Sequence, residues 1–154
     1  MSRRVTLQLR TVEECGVRFE TGVPVTFEFV RNTEKAPNLG PRFQQDIEPA
    51  GFYVQHACGF SQDLARGWVR GVLTLESPLV LSFSDPVDAL EPLYGPHSWK
   101  AELQREFRAK GRRLSSKLVA AGYDGIVTVR QDVSTSEIVS LRSFVAPDWG
   151  RVFQ

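Results

Sequence analysis

The segment Gly-Tyr-Asp-Gly-Ile-Val-Thr-Val (Gly122 to Val129), a polar interval, and then Glu-Ile-Val-Ser-Leu (Glu137 to Leu141) constrain the fold more than any other part of the chain. Gly122 is a natural left-handed end for a helix carrying Leu114, Leu118 and Val119. The apolar run after it has the length of a buried strand, and the last five residues read as a second strand that opens on a lone carboxylate, Glu137. A Glu heading an apolar strand sits where a sheet edge or cleft begins, and there it can be held rigidly against a ligand. The competing reading is a solvated strand end.

Around this unit, 154 residues suffice for one domain with a buried core, so residues 1–154 are expected to form a single domain. A formal charge of +1 gives no general electrostatic reason to expect nucleic acid or an anionic membrane as partner. No apolar run approaches the roughly 18 residues of a membrane span, and the N-terminus alternates polar and apolar residues instead of building a signal-peptide core. Cys15 and Cys58 are too few for a disulfide framework and are expected to be reduced thiols, with the cytosol (a cytoplasmic location) as compartment.

Strands are expected to dominate the first half. Val5 to Thr11 alternates apolar and polar, and Pro24 to Arg31 does so again with Val25, Phe27 and Phe29 on one face. If the alternation persists, Arg31 points the same way and needs an anion or carboxylate partner. After an irregular stretch broken by Pro37, Gly40, Pro41 and Pro49, the chain enters the short strand Gly51 to Val54, where Tyr53 faces away from Phe52 and Val54. Ser61 reads as the cap of a short helix closed by Gly67, followed by strands Trp68 to Leu75 and Pro78 to Phe83. Ser98 caps a helix with Trp99, Leu103 and Phe107 at helical spacing, stopped by Gly111, and Lys100, Gln104, Arg105 and Arg108 read as its solvated side.

The sum is an α+β domain in which strands and helices do not alternate regularly enough for a doubly wound parallel sheet. Gly-rich phosphate loops, Ser or Cys nucleophile motifs and metal-ligand spacings are absent from the sequence. His56 and His97 fall on loop-like segments and read as surface or hydrogen-bonding residues.

Three separated pieces resemble the motifs of ADP-ribosyltransferase-like domains. Phe29-Val30-Arg31-Asn32-Thr33 is similar to their first-strand motif, Gly51-Phe52-Tyr53-Val54 to the glycine-led strand with a tyrosine, and Gly122-Tyr-Asp-Gly-Ile-Val with Glu137-Ile-Val to the unit that ends on the catalytic Glu. The resemblance covers most of Thr26 to Leu141 and is nearest to small, divergent bacterial, plasmid and phage transferases, among them toxins or effectors. It departs from the family by combining Arg31 with Tyr53, and by carrying Thr135 two positions before the Glu.

The resemblance implies a mainly antiparallel, split β-sheet core with a few helices, and NAD as substrate. It implies that Glu137 is catalytic, stabilising the oxocarbenium-like transition state as the nicotinamide–ribose bond breaks. Arg31 is then expected to bind diphosphate or ribose, Tyr53 to stack on nicotinamide, Asn32 and Thr33 to add hydrogen bonds, and Ser136 to orient Glu137. The loop from Lys35 to Pro49, with Arg42, is expected to close over the dinucleotide. The ADP-ribose goes to a macromolecular acceptor; an NAD glycohydrolase, or an inactive relative that binds a nucleotide or protein, are the alternatives. The expectation is geometric, because Arg31, Tyr53 and Glu137 must line one cleft.

Overall fold

The structure, a computed structural model, describes residues 7–32, 49, 51–61, 63–83, 99–130 and 134–141. Nine strands are present among these residues: β1 (Leu7–Leu9), β2 (Thr11–Glu14), β3 (Val17–Glu20), β4 (Val25–Asn32), β5 (Phe52–His56), β6 (Trp68–Leu75), β7 (Pro78–Phe83), β8 (Gly125–Val129) and β9 (Thr135–Ser140). Among the described residues two helices, α1 (Trp99–Phe107) and α2 (Gly111–Ala120), lie between β7 and β8.

Seven strands form one mixed sheet in the order β1-β7-β8-β9-β5-β4-β6, with β2 and β3 as a separate hairpin. Among the described residues only the β7–β8 pair is parallel, and its two strands are joined through α1 and α2, the helical connection such a crossover needs. The expected split into two sheets is not seen among the described residues. The sheet is continuous, but it is narrowest between β4 and β5, which meet at Phe29↔His56 and Val30↔Gln55 alone.

Alternation sorts the side chains into two cores. Val25, Phe27 and Phe29 of β4 join Phe52, Val54, Val127 and Ile138 beneath the β2–β3 hairpin, whose Val12 and Phe19 close that side. On the opposite face Leu79, Leu81, Ile126 and Val139 meet Trp99 and Leu103 of α1 and Leu114 and Leu118 of α2. Each fully buried side chain of this size contributes about 1.5–3 kcal/mol. The domain is thus layered as hairpin, sheet and helices.

Several local readings are corrected by tertiary contacts. Helix α1 ends at Phe107, before Gly111, because Arg108 takes a left-handed conformation with φ 55°. Residues 63–67 form turns and no helix: the Ser61 hydroxyl accepts the Asp63 N–H two residues on, and Trp68 N–H closes onto Ala65. His56 is the buried last residue of β5, not a loop residue. Cys15 and Cys58 are joined as a disulfide with Cα atoms 5.9 Å apart, so the expected pair of free thiols is replaced by a bond that ties the hairpin to the end of β5. No helix among the described residues is long and apolar enough to cross a membrane.

The Gly122-Tyr-Asp-Gly unit is fixed by Asp124. Its carboxylate accepts the N–H groups of Glu76 and Ser77, each at 2.8 Å, closing the β6–β7 turn, while its backbone bonds Ser77 and Leu141. Asp124→Ala is expected to lower stability by about 3 kcal/mol, since two hydrogen bonds to a charged acceptor are lost and the turn is partly open to water. Thermal unfolding should then fall by about 6–12 °C. Gly51 has a different reason for its glycine: a Cβ there would lie 2.6 Å from Val139 Cγ1 and 2.8 Å from the Ser140 carbonyl oxygen. Because backbone cannot yield as a side chain does, Gly51→Ala is expected to destabilise by about 1–3 kcal/mol in a denaturant titration.

Candidate functional site

Glu137 is the third residue of β9, which begins two residues earlier than expected, at Thr135. The registers Gln55↔Glu137 and Tyr53↔Val139 place Tyr53 and Glu137 on adjacent strands and, with Val139, on the helix face of the sheet. A bulge in β8 between Val127 and Val129 lets the Thr128 hydroxyl donate to the Glu137 carbonyl at 2.7 Å, pinning the backbone beneath the carboxylate.

The partner of that carboxylate is Lys100 of α1. Its Nζ lies 3.4 Å from Glu137 Oε1, and its side chain is 4% exposed against 30% for Glu137. Oε1 itself is enclosed and accepts no aligned hydrogen bond, so the attraction is mainly charge to charge, and the exposed part of Glu137 lies elsewhere on the side chain. Lys100 Nζ also sits 5.5 Å from the Tyr53 ring centroid and 5.6 Å from that of Trp99, within cation–π range of both. The Tyr53 hydroxyl donates to the Pro49 carbonyl at 2.6 Å, fixing the ring at the point where the chain enters β5.

Lys100 was expected on a solvated side, and this is the principal correction. The signal was in the spacing: Lys100, Leu103 and Phe107 stand at i, i+3 and i+7, so they share a helix face, and that face packs on the sheet.

The other expected site residues divide between the faces. Arg31 follows Val25, Phe27 and Phe29, as alternation required, and its guanidinium lies 5.2 Å from the Phe52 ring centroid on the hairpin side. Tyr53 is on the opposite face, so Arg31, Tyr53 and Glu137 do not line one cleft. The physical reason is the pleat: with Phe29 opposite His56 and Val30 opposite Gln55, Arg31 falls on the face of Phe29, His56 and Val54, and Tyr53 on the face of Val30 and Gln55. Arg31 nevertheless touches the site's frame, because its Nε donates to the Tyr53 carbonyl at 3.2 Å. Burial lowers the Arg31 pKa from its ordinary value. Alternation puts Asn32, at the end of β4, on the helix face with Tyr53, and puts Ser136 with Ile138 on the hairpin face, behind Glu137. Thr33 and the loop containing Arg42 lie outside the described residues, as does His97.

A second polar cluster occupies the hairpin side. Glu14 Oε1 meets His56 Nδ1 at 2.7 Å and the Thr135 hydroxyl at 2.6 Å, while Oε2 accepts the Thr135 N–H at 2.9 Å. Burial pushes the Glu14 carboxyl up, but the hydrogen bonds from Thr135 and His56 outweigh it and hold its pKa below the ordinary 4.5. A depressed carboxylate stabilises the fold above its unfolded pKa, and that contribution is lost as pH falls through the lower folded value. Acid unfolding is therefore expected to steepen below about pH 4.5, and Glu14→Gln should flatten this part of the stability profile. Nothing in the local sequence announced Glu14, whose partners are supplied by β5 and β9.

The Tyr53 and Glu137 face thus offers a carboxylate on a pinned strand, with a buried ammonium 3.4 Å from one of its oxygens and the Tyr53 ring 5.5 Å from that ammonium. Such a group can hydrogen-bond a sugar hydroxyl or stabilise positive charge developing nearby. No protein-family model matches the chain, and neither the curated proteins nor the solved structures give a match.

Proposed function

We propose that the chain is an NAD-dependent ADP-ribosyltransferase in which Glu137 is the catalytic carboxylate. The observation that carries the reading is that Tyr53 and Glu137, drawn from two sequence motifs more than eighty residues apart, meet on adjacent strands and one face. The order and spacing of the three motifs that resemble the transferase family add to it, while the placing of Arg31 on the opposite face counts against it. In this reading the C1′–N bond of the nicotinamide ribose breaks and nicotinamide leaves neutral with the bonding pair. The macromolecular acceptor then adds to C1′ and gives up a proton. Glu137 stabilises the ribosyl cation and Tyr53 stacks on nicotinamide. Asn32 contributes hydrogen bonds from the same face. Arg31 acts on this side through the Tyr53 carbonyl, as a positioning residue.

One observation favours a second reading, that of an inactive relative serving as a binding module: Lys100 already balances the Glu137 charge. Incubation with NAD labelled in its adenylate half, alone and with cell lysate, separates the cases. Label on a macromolecule supports the transferase, and free nicotinamide without transferred label supports a glycohydrolase on the same site. Absence of turnover in both conditions sinks both enzymes and leaves the binding module.

A further inference from the structure

On the face opposite Glu137, the hairpin turn and the end of β5 bring together groups that none of the chemistry above uses. Glu14, His56 and Cys58 each offer a ligand atom, all within 4.8 Å of one another, and Cys15 is bonded to Cys58. Cys15 occupies the first central position of a tight turn with φ 51°, followed by Gly16 at φ 80°. Turns of this kind favour Asn, Asp or Gly there, so a cysteine is conformationally unfavourable at that point and its sulfur has to be the reason for it. A half-open depression of about 230 Å³, lined by Cys15, His56, Cys58, Glu28 and Arg70, gives small solutes access to the corner.

We propose that, when its disulfide is reduced, this corner is a binding site for a thiophilic divalent cation of the Zn²⁺ class. Cys15, Cys58, His56 and Glu14 are its four ligands. Two thiolates, one imidazole and one carboxylate form a tetrahedral donor set that suits such an ion and leaves no open position, which makes the site structural. Each thiol releases its proton on binding. His56 Nδ1, now 2.7 Å from Glu14 Oε1 across a shared proton, binds as the Nε2–H tautomer, so the metal replaces that proton between the two side chains. The two hydrogen bonds from Thr135 hold the Glu14 carboxylate in place, as outer partners of metal ligands do. The disulfide and the metal use the same sulfurs and exclude one another.

The test takes the full chain and reduces it with a phosphine, which with one water becomes the phosphine oxide and delivers two electrons and two protons to the disulfide. After removal of the reagent, Co²⁺ and then Zn²⁺ are titrated. The reduced wild type is expected to bind one ion per chain, with a thiolate-to-Co²⁺ charge-transfer band that Zn²⁺ abolishes, and the oxidised protein to show no such band. Cys58→Ser, Cys15→Ser and His56→Gln should each weaken binding by about a hundredfold or more. If the reduced chain unfolds without metal, Zn²⁺ should restore the far-UV spectrum of the oxidised protein. The proposal is overturned if the reduced wild type gives no thiolate–Co²⁺ band, if it stays unfolded in saturating Zn²⁺, or if the Cys15→Ser, Cys58→Ser double variant binds Zn²⁺ as tightly as wild type.

Discussion

Glu137→Gln is expected to lower the rate of nicotinamide release from NAD by about 10²–10³-fold, the loss typical when a preorganised electrostatic group is removed from a transition state. The substitution keeps the shape of the side chain and the position in β9, where the Thr128 hydroxyl still anchors the backbone carbonyl. What it removes is the charge. It also leaves the buried Lys100 ammonium without its carboxylate, and that effect must be separated from catalysis. Because the Glu137 side chain is 30% exposed, water can compensate in part, and a stability loss of about 1–3 kcal/mol is expected for either single change, Glu137→Gln or Lys100→Met. The double variant removes both charges and should recover most of that stability while remaining inactive. A double variant as active as wild type would show that Glu137 is only the structural counter-ion of Lys100.

Loss of the Cys15–Cys58 bond is expected to destabilise the fold by about 4 kcal/mol in the absence of metal. The two residues are 43 positions apart, and the loop-closure entropy released to the unfolded chain by a gap of that length gives this figure. The location of the bond makes the loss local as well as global. The hairpin covers Phe27, Phe29 and Phe52, and Glu14 reaches from it to Thr135, two residues before Glu137. In chemical denaturation the Cys15→Ser, Cys58→Ser variant should unfold at a clearly lower midpoint, with amide exchange quickest across β2 and β3. An unchanged midpoint would mean that the hairpin is held by Phe19 and Val12 alone. The bond also removes the free-thiol argument for a reducing compartment.

Much of the frame was legible because it rests on local patterns. The alternation of Val25, Phe27 and Phe29, the core positions Trp99, Leu103, Leu114 and Leu118, and the turn at Gly122 all appear where period and breaker residues put them. The hidden parts depend on contacts between distant segments. The β2–β3 hairpin carries Cys15 and Gly16 where Asn-Gly would have announced a turn, and its partner cysteine lies beyond two further strands. Parallel pairing of β7 with β8 is set by the helical connection and not by either strand's composition.

The site was half legible for a reason visible in its own residues. Alternation already set Arg31 with the core-facing phenylalanines and Tyr53 against them, so the two were bound to diverge once β4 and β5 paired in register. Motif order favoured convergence, and the pleat prevailed. The charge of Lys100 suggests solvent, but its position on the helical face of buried Leu103 and partly buried Phe107 places it against the sheet. The carboxylate and the tyrosine remain on one face, and alternation assigns Asn32 of β4, not Arg31, to that face.

The most direct test of the central claim is the initial rate of nicotinamide release from NAD by the purified wild type and by Glu137→Gln at equal folded concentration, each with and without cell lysate. The account predicts steady release by the wild type, in one or both conditions, and a rate at least about a hundredfold lower for the variant. Equal rates for the two proteins, or no release above buffer by the wild type in either condition, would contradict it.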